Sequence, residues 1–105
     1  MTEFEIRNAV TFYKKWFIDR NVVAKRLDPD KHPVFRKEAL SHCFYLLPWV
    51  EIALAEEGSK EYAVQTMAYI RGILLGKNVF TEDELESHFK PVLKTKDLLQ
   101  NNPKL

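Results

Sequence analysis

The sequence predicts an all-α fold: a small four-helix bundle or an orthogonal helical array, with proline kinks in the second and fourth helices. Three observations carry that reading. Thr81-Glu82-Asp83-Glu84 stands between Phe80 and Leu85. Thr81 can therefore cap the Glu84 N–H, Glu84 can reach back to the Thr81 N–H, and Phe80 and Leu85 can close a hydrophobic staple. The same grammar opens the chain, with Thr2 capping, Glu5 returning and Met1 facing Ile6. Glycines mark ends: Gly58-Ser59 reads as a stop followed by a start, and Gly76 as a stop. Between these marks, apolar residues recur at three- and four-residue steps, the period of a one-faced helix.

Residues 2–27 read as one long amphipathic helix. Ile6, Ala9, Val10, Tyr13, Trp16 and Phe17 share a face, while Arg7, Lys14, Lys15, Asp19 and Arg20 fall mostly elsewhere. Phe12 lies off the stripe. Residues 28–33 form a linker, because Pro29 and Pro33 forbid regular structure there. Residues 34–100 form the helical core. Its first helix begins around Pro33, a residue suited to the first helical position. Phe35, Ala39, Cys43, Leu46, Leu47, Val50 and Leu54 continue one buried face. Pro48 removes a backbone hydrogen bond and crowds the preceding turn. The apolar phase survives it, so a kink near Tyr45–Leu47 is expected rather than a break. The third helix runs from about Lys60 to Leu75, with Ala63, Met67, Ile70 and Leu74 inward. Gly72 inside it reads either as a point of close helix approach or as simple tolerance. The fourth helix starts after Thr81. Pro91 kinks or ends it, residues 92–99 add a further turn or two, and residues 101–105 read as a frayed tail.

A chain of 105 residues makes one domain, 1–105, and a hydrophobic content of 46% suffices for a real core. Sixteen basic residues against fifteen acidic ones leave a net charge of +1, which is not the balance of a protein built to neutralise phosphates. Cys43 is the single cysteine, so no internal disulfide forms and a reducing compartment is favoured. The acidic opening Met-Thr-Glu-Phe-Glu lacks the basic and apolar runs of a signal peptide. No apolar stretch approaches the ~18 residues of a membrane span. The expectation is a cytoplasmic protein without a membrane partner.

Candidates for chemistry are weak. Glu38 with His42, and Glu84 with His88, have four-residue spacing, so each pair shares a helix face and could supply two metal ligands. Di-iron bundles instead use Glu-x-x-His, and Glu84 is already engaged in a capping box. Ordinary helix-surface pairs are the better reading. Cys43 and His42 are adjacent and point about 100° apart on a helix, so they do not form a nucleophile and base; Cys43 belongs to the apolar phase. No Gly-rich phosphate loop, paired-cysteine motif or serine elbow is present. The sequence therefore assigns no catalytic residue, no cofactor and no metal.

Aromatics, more than charge, point to binding. Arg7, Lys14, Lys15, Arg20, Lys25 and Arg26 lie on the first predicted helix, whereas acids concentrate in residues 51–61 and 82–86. Such segregation guides a partner, pairs elements within the fold or weakly attracts nucleic acid, while the usual reading of such charges is a solvated helix face. Trp16, Phe17, Phe44, Tyr45, Trp49, Tyr62, Tyr69 and Phe80 exceed what a small core needs. Surplus aromatic surface suggests an interface, with Phe12, Trp16, Trp49 and Tyr69 as its candidate residues; the alternative is a well-filled core. The reading is a non-catalytic helical protein–protein interaction protein that binds a partner or a second copy of itself. The alternative is a small nucleic-acid-binding regulator using the basic first helix.

Pro33-Val34-Phe35 followed by Phe44, Leu46, Leu47 and Pro48, then Tyr62, Ala68 and Ile73-Leu74, then Lys77, Thr81 and Glu84-Leu85, resembles the helical N-terminal region of the nitrile hydratase beta subunit and related small accessory proteins. The resemblance covers residues 33–90 at most. Residues 1–30 have no counterpart, and Ala39 or Leu40 stands where that family carries a tryptophan. The metal-binding cysteines of that enzyme belong to its alpha subunit. The resemblance thus implies an accessory factor or small subunit of a larger enzyme, and it carries no catalytic residue onto this chain.

Overall fold

The computed structural model describes residues 1–28 and 35–90, and these form four α-helices with no strand among them: α1 (Glu3–Asp19), α2 (Arg36–Ala55), α3 (Lys60–Gly76) and α4 (Glu82–Phe89). Both expected capping boxes are made. The Glu5 N–H donates to Thr2 Oγ1 at 3.1 Å and the Thr2 N–H to Glu5 Oε1 at 2.8 Å. At α4 the Glu84 N–H donates to Thr81 Oγ1 at 3.2 Å and the Thr81 N–H to Glu84 Oε1 at 2.8 Å. Each box satisfies two otherwise orphaned donors, which is why these starts are local and sharp. The backbone N–H groups of Thr2 and Thr81 also hold the Glu5 and Glu84 carboxyls below the usual carboxylate range.

The long first helix is shorter than residues 2–27. It ends at Asp19, and Asn21 takes a left-handed conformation at φ 56°. The Val22 N–H reaches back to the Phe17 carbonyl at 3.0 Å and the Asn21 N–H to Ile18 at 3.1 Å, a Schellman closure. The same device ends α3: Asn78 sits at φ 56°, with Val79 donating to Leu74 at 2.9 Å and Asn78 to Leu75 at 3.1 Å. The stop is therefore Asn78 and not Gly76, which is the last helical residue. Asparagine tolerates the left-handed region because its short amide compensates locally. Gly58, at φ +86°, does reverse the chain between α2 and α3.

The second helix begins at Arg36 rather than near Pro33; Phe35 is its N-cap, with its N–H donating to Glu38 Oε1 at 3.1 Å. As a cap residue Phe35 points away from the helix stripe and is exposed, which corrects its place on the buried face. α2 runs through Pro48 without a break. A methyl group placed on Gly72 would meet nothing within 4 Å, so this glycine is tolerated rather than needed for close approach. Residues 29–33 of the expected linker, including Pro33, the neighbouring Val34, and everything assigned to 91–105, including Pro91, lie outside the described residues.

One core unites the helices. Ile6, Ala9, Val10, Tyr13 and Phe17 of α1 meet Cys43, Leu47, Val50, Ala53 and Leu54 of α2, Ala63, Met67, Ile70 and Leu74 of α3, and Leu85 and Phe89 of α4. α2 and α3 form the broadest contact, α1 packs on α2, and α4 packs on α1 and α3. Trp16 is half-buried at the edge, between Phe80 and the Arg20 guanidinium, which lies 4.0 Å from its ring centre. Past Asn21, residues 22–28 form a non-helical strap along α2. The Lys25 N–H donates to the Ser41 carbonyl at 3.1 Å, and the Leu27 N–H to His42 Nδ1 at 3.2 Å.

Candidate functional site

The histidines that sequence spacing marks as possible ligands are both used as polar ties. His42 Nδ1 accepts from the Leu27 backbone, which places the ring proton on Nε2 and pins the strap to α2. Burial first, and the Arg26 charge second, hold the His42 ring below the ordinary histidine range. His88 is buried against α1. Its Nδ1 shares a 3.0 Å hydrogen bond with the Tyr13 hydroxyl, and its ring stacks on Phe12 at 4.0 Å between centroids. Burial pushes the Tyr13 hydroxyl well above the usual phenol range, so it stays protonated. Among the described residues no three His, Cys, Asp or Glu groups converge to hold a metal ion. Glu38, His42, Glu84 and His88 are thus not brought together as a ligand set. Cys43 is fully buried, and desolvation pushes its thiol up to about 12, so it is a core residue with no nucleophilic character.

The His42 tie has a pH signature. Its folded value lies below the ~6.5 of an unfolded histidine, so the unfolded chain binds more protons between the two values. The contribution of the His42 tie to stability is therefore expected to be fully present above about pH 6.5 and to fall on further acidification. The check is the urea midpoint of the wild type and of His42→Gln across that range. The difference between them should shrink as the pH drops, and a constant difference would contradict the assignment.

The four interface candidates divide into two pairs. Phe12 is 40% exposed on α1, with one ring face on His88 and an edge contact to Phe80. Trp16 lies beside it, largely covered by Phe80 and Arg20. Trp49 and Tyr69 lie on the α2 and α3 surface, 47% and 46% exposed. There they belong to a larger group. His42, Tyr45, Trp49 and Ile52 recur at three- and four-residue steps along α2, and Tyr62 and Tyr69 sit two turns apart on α3. Tyr69 meets the His42 ring edge-on at 5.9 Å, His42 lies parallel to Tyr45 at 6.3 Å, and Tyr45 leans on Trp49 at 6.5 Å. Tyr62 is 59% exposed and lines one groove with Tyr45, Leu46, Trp49 and Arg26. The result is a continuous aromatic face. Sequence reasoning did not single out Tyr62 and Ile52 as interface residues; their three- and seven-residue spacing from Trp49 and Tyr69 was the signal available.

The basic residues of the first predicted helix divide. Arg7 pairs with Glu3 at 3.0 Å, Lys15 with Asp19 at 2.9 Å and Lys14 with Glu51 at 2.6 Å, while Arg20 covers Trp16. Lys25 and Arg26 lie beyond the helix on the strap and form no ion pair with the described residues. No helix among the described residues is long and apolar enough to cross a membrane. No family model, curated protein or solved structure matches the chain.

Proposed function

We propose that this chain is a non-catalytic helical interaction protein that docks a protein partner, or a second copy of itself, through aromatic surface. The observation that carries the reading is the exposed aromatic face of α2 and α3, with Trp49, Tyr62 and Tyr69 each about half open to solvent. Tyrosine and tryptophan supply large, rigid contact area at low entropic cost, and they dominate the energetics of protein interfaces. The internal pairing of the α1 cations favours this over nucleic-acid binding by a basic first helix. The resemblance of residues 33–90 to the nitrile hydratase beta-subunit region supports a larger enzyme as the partner, with this chain as accessory factor or small subunit. Phe12 and Trp16 form a second, smaller candidate patch.

The experiment is sedimentation velocity over a wide concentration range, together with affinity capture from a native lysate, for wild type, Trp49→Ala, Tyr69→Ala and Phe12→Ala. Association by the wild type should be lost in Trp49→Ala and Tyr69→Ala, whose exposed side chains contribute little to the core, so their melting temperatures should stay close to wild type. A wild type that neither self-associates nor retains a partner removes the reading. Binding that survives both α2–α3 substitutions and fails in Phe12→Ala moves the interface to α1.

A further inference from the structure

Two grooves lie side by side along α2, and Arg26 lines both. The first, of about 180 Å³, is lined by Lys25, Arg26, Leu27, Lys37, Glu38 and Ser41. Among the described residues, three cations face one carboxylate there. The second, of about 330 Å³, is lined by Arg26, Tyr45, Leu46, Trp49 and Tyr62, with no acidic residue in its walls among the described residues. Lys25, Arg26 and Lys37 are exposed and form no ion pair with the described residues, unlike Arg7, Lys14 and Lys15. Hydrogen bonds from the strap to Ser41 and His42 fix the backbone that presents Lys25 and Arg26 to the α2 surface. An aromatic trough therefore ends at a rigidly placed cationic one.

We propose that these joined grooves bind an acidic peptide segment of a partner protein, seating an apolar side chain between Tyr45, Trp49 and Tyr62 and carboxylates against Arg26, Lys25 and Lys37. The inference rests on the interaction-protein reading and adds the occupant. Charge complementarity selects the acid: a guanidinium with no ion-pair partner among the described residues offers two parallel donors to a carboxylate. The aromatic walls select the apolar anchor, because a buried apolar side chain supplies the affinity while exposed charges chiefly supply orientation and encounter rate. A single-stranded nucleic acid would also meet cations and aromatic rings. The net charge of +1 disfavours it, because nucleic-acid binding draws on neutralising many phosphates, whereas a short acidic peptide needs only the local cations of the groove.

The test is selection of a random peptide library displayed on phage against the immobilised full chain at low salt. The selected peptides, and a labelled single-stranded oligothymidylate, are then titrated by fluorescence anisotropy. The expected result is enrichment of peptides combining Asp or Glu with an aromatic or aliphatic residue. Their binding should weaken about tenfold or more in Arg26→Glu and in Lys37→Glu, in Trp49→Ala, and as salt is raised. Lys37→Glu keeps the inference falsifiable if Arg26→Glu disturbs the strap, because an acid in the first turn of α2 is compatible with the helix. No enrichment, enrichment of peptides without acids, binding by both charge-reversal variants equal to wild type, or binding of the oligonucleotide in place of the peptides overturns it. The two readings fail separately: association lost in Trp49→Ala yet intact in both charge-reversal variants sinks the acidic occupant and leaves the interaction face standing.

Discussion

His88→Ala is expected to lower unfolding stability by about 3–5 kcal/mol, the range of a large buried ring truncated to a methyl group. The ring is packed on three sides: it stacks on Phe12 at 4.0 Å, meets Phe80 edge-on at 4.6 Å and stands perpendicular to Tyr13 at 5.3 Å. Its removal opens a cavity between α1 and α4. It also takes away the 3.0 Å partner of the fully buried Tyr13 hydroxyl, and an unpaired buried polar group is itself costly. Small domains hold only about 5–15 kcal/mol in total, so the variant should be substantially unfolded on mild heating. Tyr13→Phe separates the two contributions. It keeps both rings and deletes the hydroxyl, and should cost about 1–3 kcal/mol. Urea denaturation followed by circular dichroism gives both values. Equal losses in the two variants would mean that the hydrogen bond, and not the ring packing, holds α4 to α1.

Phe17→Ala should lose a comparable ~3–5 kcal/mol, through a different junction. Phe17 is fully buried in the last turn of α1, stacks on Phe44 of α2 at 5.2 Å and receives the Trp16 ring edge-on at 5.4 Å. Its carbonyl also accepts the Val22 N–H that closes the helix end. Truncation empties the α1–α2 contact at the point where the strap departs, so the strap should loosen along with the core. Phe12→Ala is the control. That ring is 40% exposed and has one face on His88, so its loss should be clearly smaller. Thermal melts of the two variants, with hydrogen exchange at the Lys25 and Leu27 amides, check the pair of claims. A Phe12→Ala loss matching that of Phe17→Ala would put Phe12 in the core and take it out of any interface.

The parts of this protein that the sequence alone determined are those whose cause lies within about one helical turn. Thr2 with Glu5 and Thr81 with Glu84 cap their helices through bonds three residues apart, so four letters suffice to read them. The inward faces of α1 and α3 follow from three- and four-residue spacing, because any packed helix must bury such a stripe. The end of α1 was also written locally, in Asn21-Val22, as was that of α3 in Asn78-Val79. Reading Gly76 as a stop passes over Asn78, and running the first helix to residue 27 passes over Asn21. Phe35 shows the limit of the stripe rule: it follows the apolar rhythm, but a cap residue lacks helical geometry and its side chain leaves the face. The site lay further out of reach. Tyr13 and His88 are 75 positions apart, and Leu27 and His42 are 15 apart on different elements. A histidine on a helix carries no mark that separates a metal ligand from a buried tie. Only the packing of α4 on α1, and of the strap on α2, supplies its partner. The same holds for Arg26, which counts in the sequence as one more cation of a basic helix. The early stop at Asn21 takes it off that helix, and the strap's bonds to α2 set it between the basic and the aromatic grooves, because contacts between distant segments are decided by how whole faces dock.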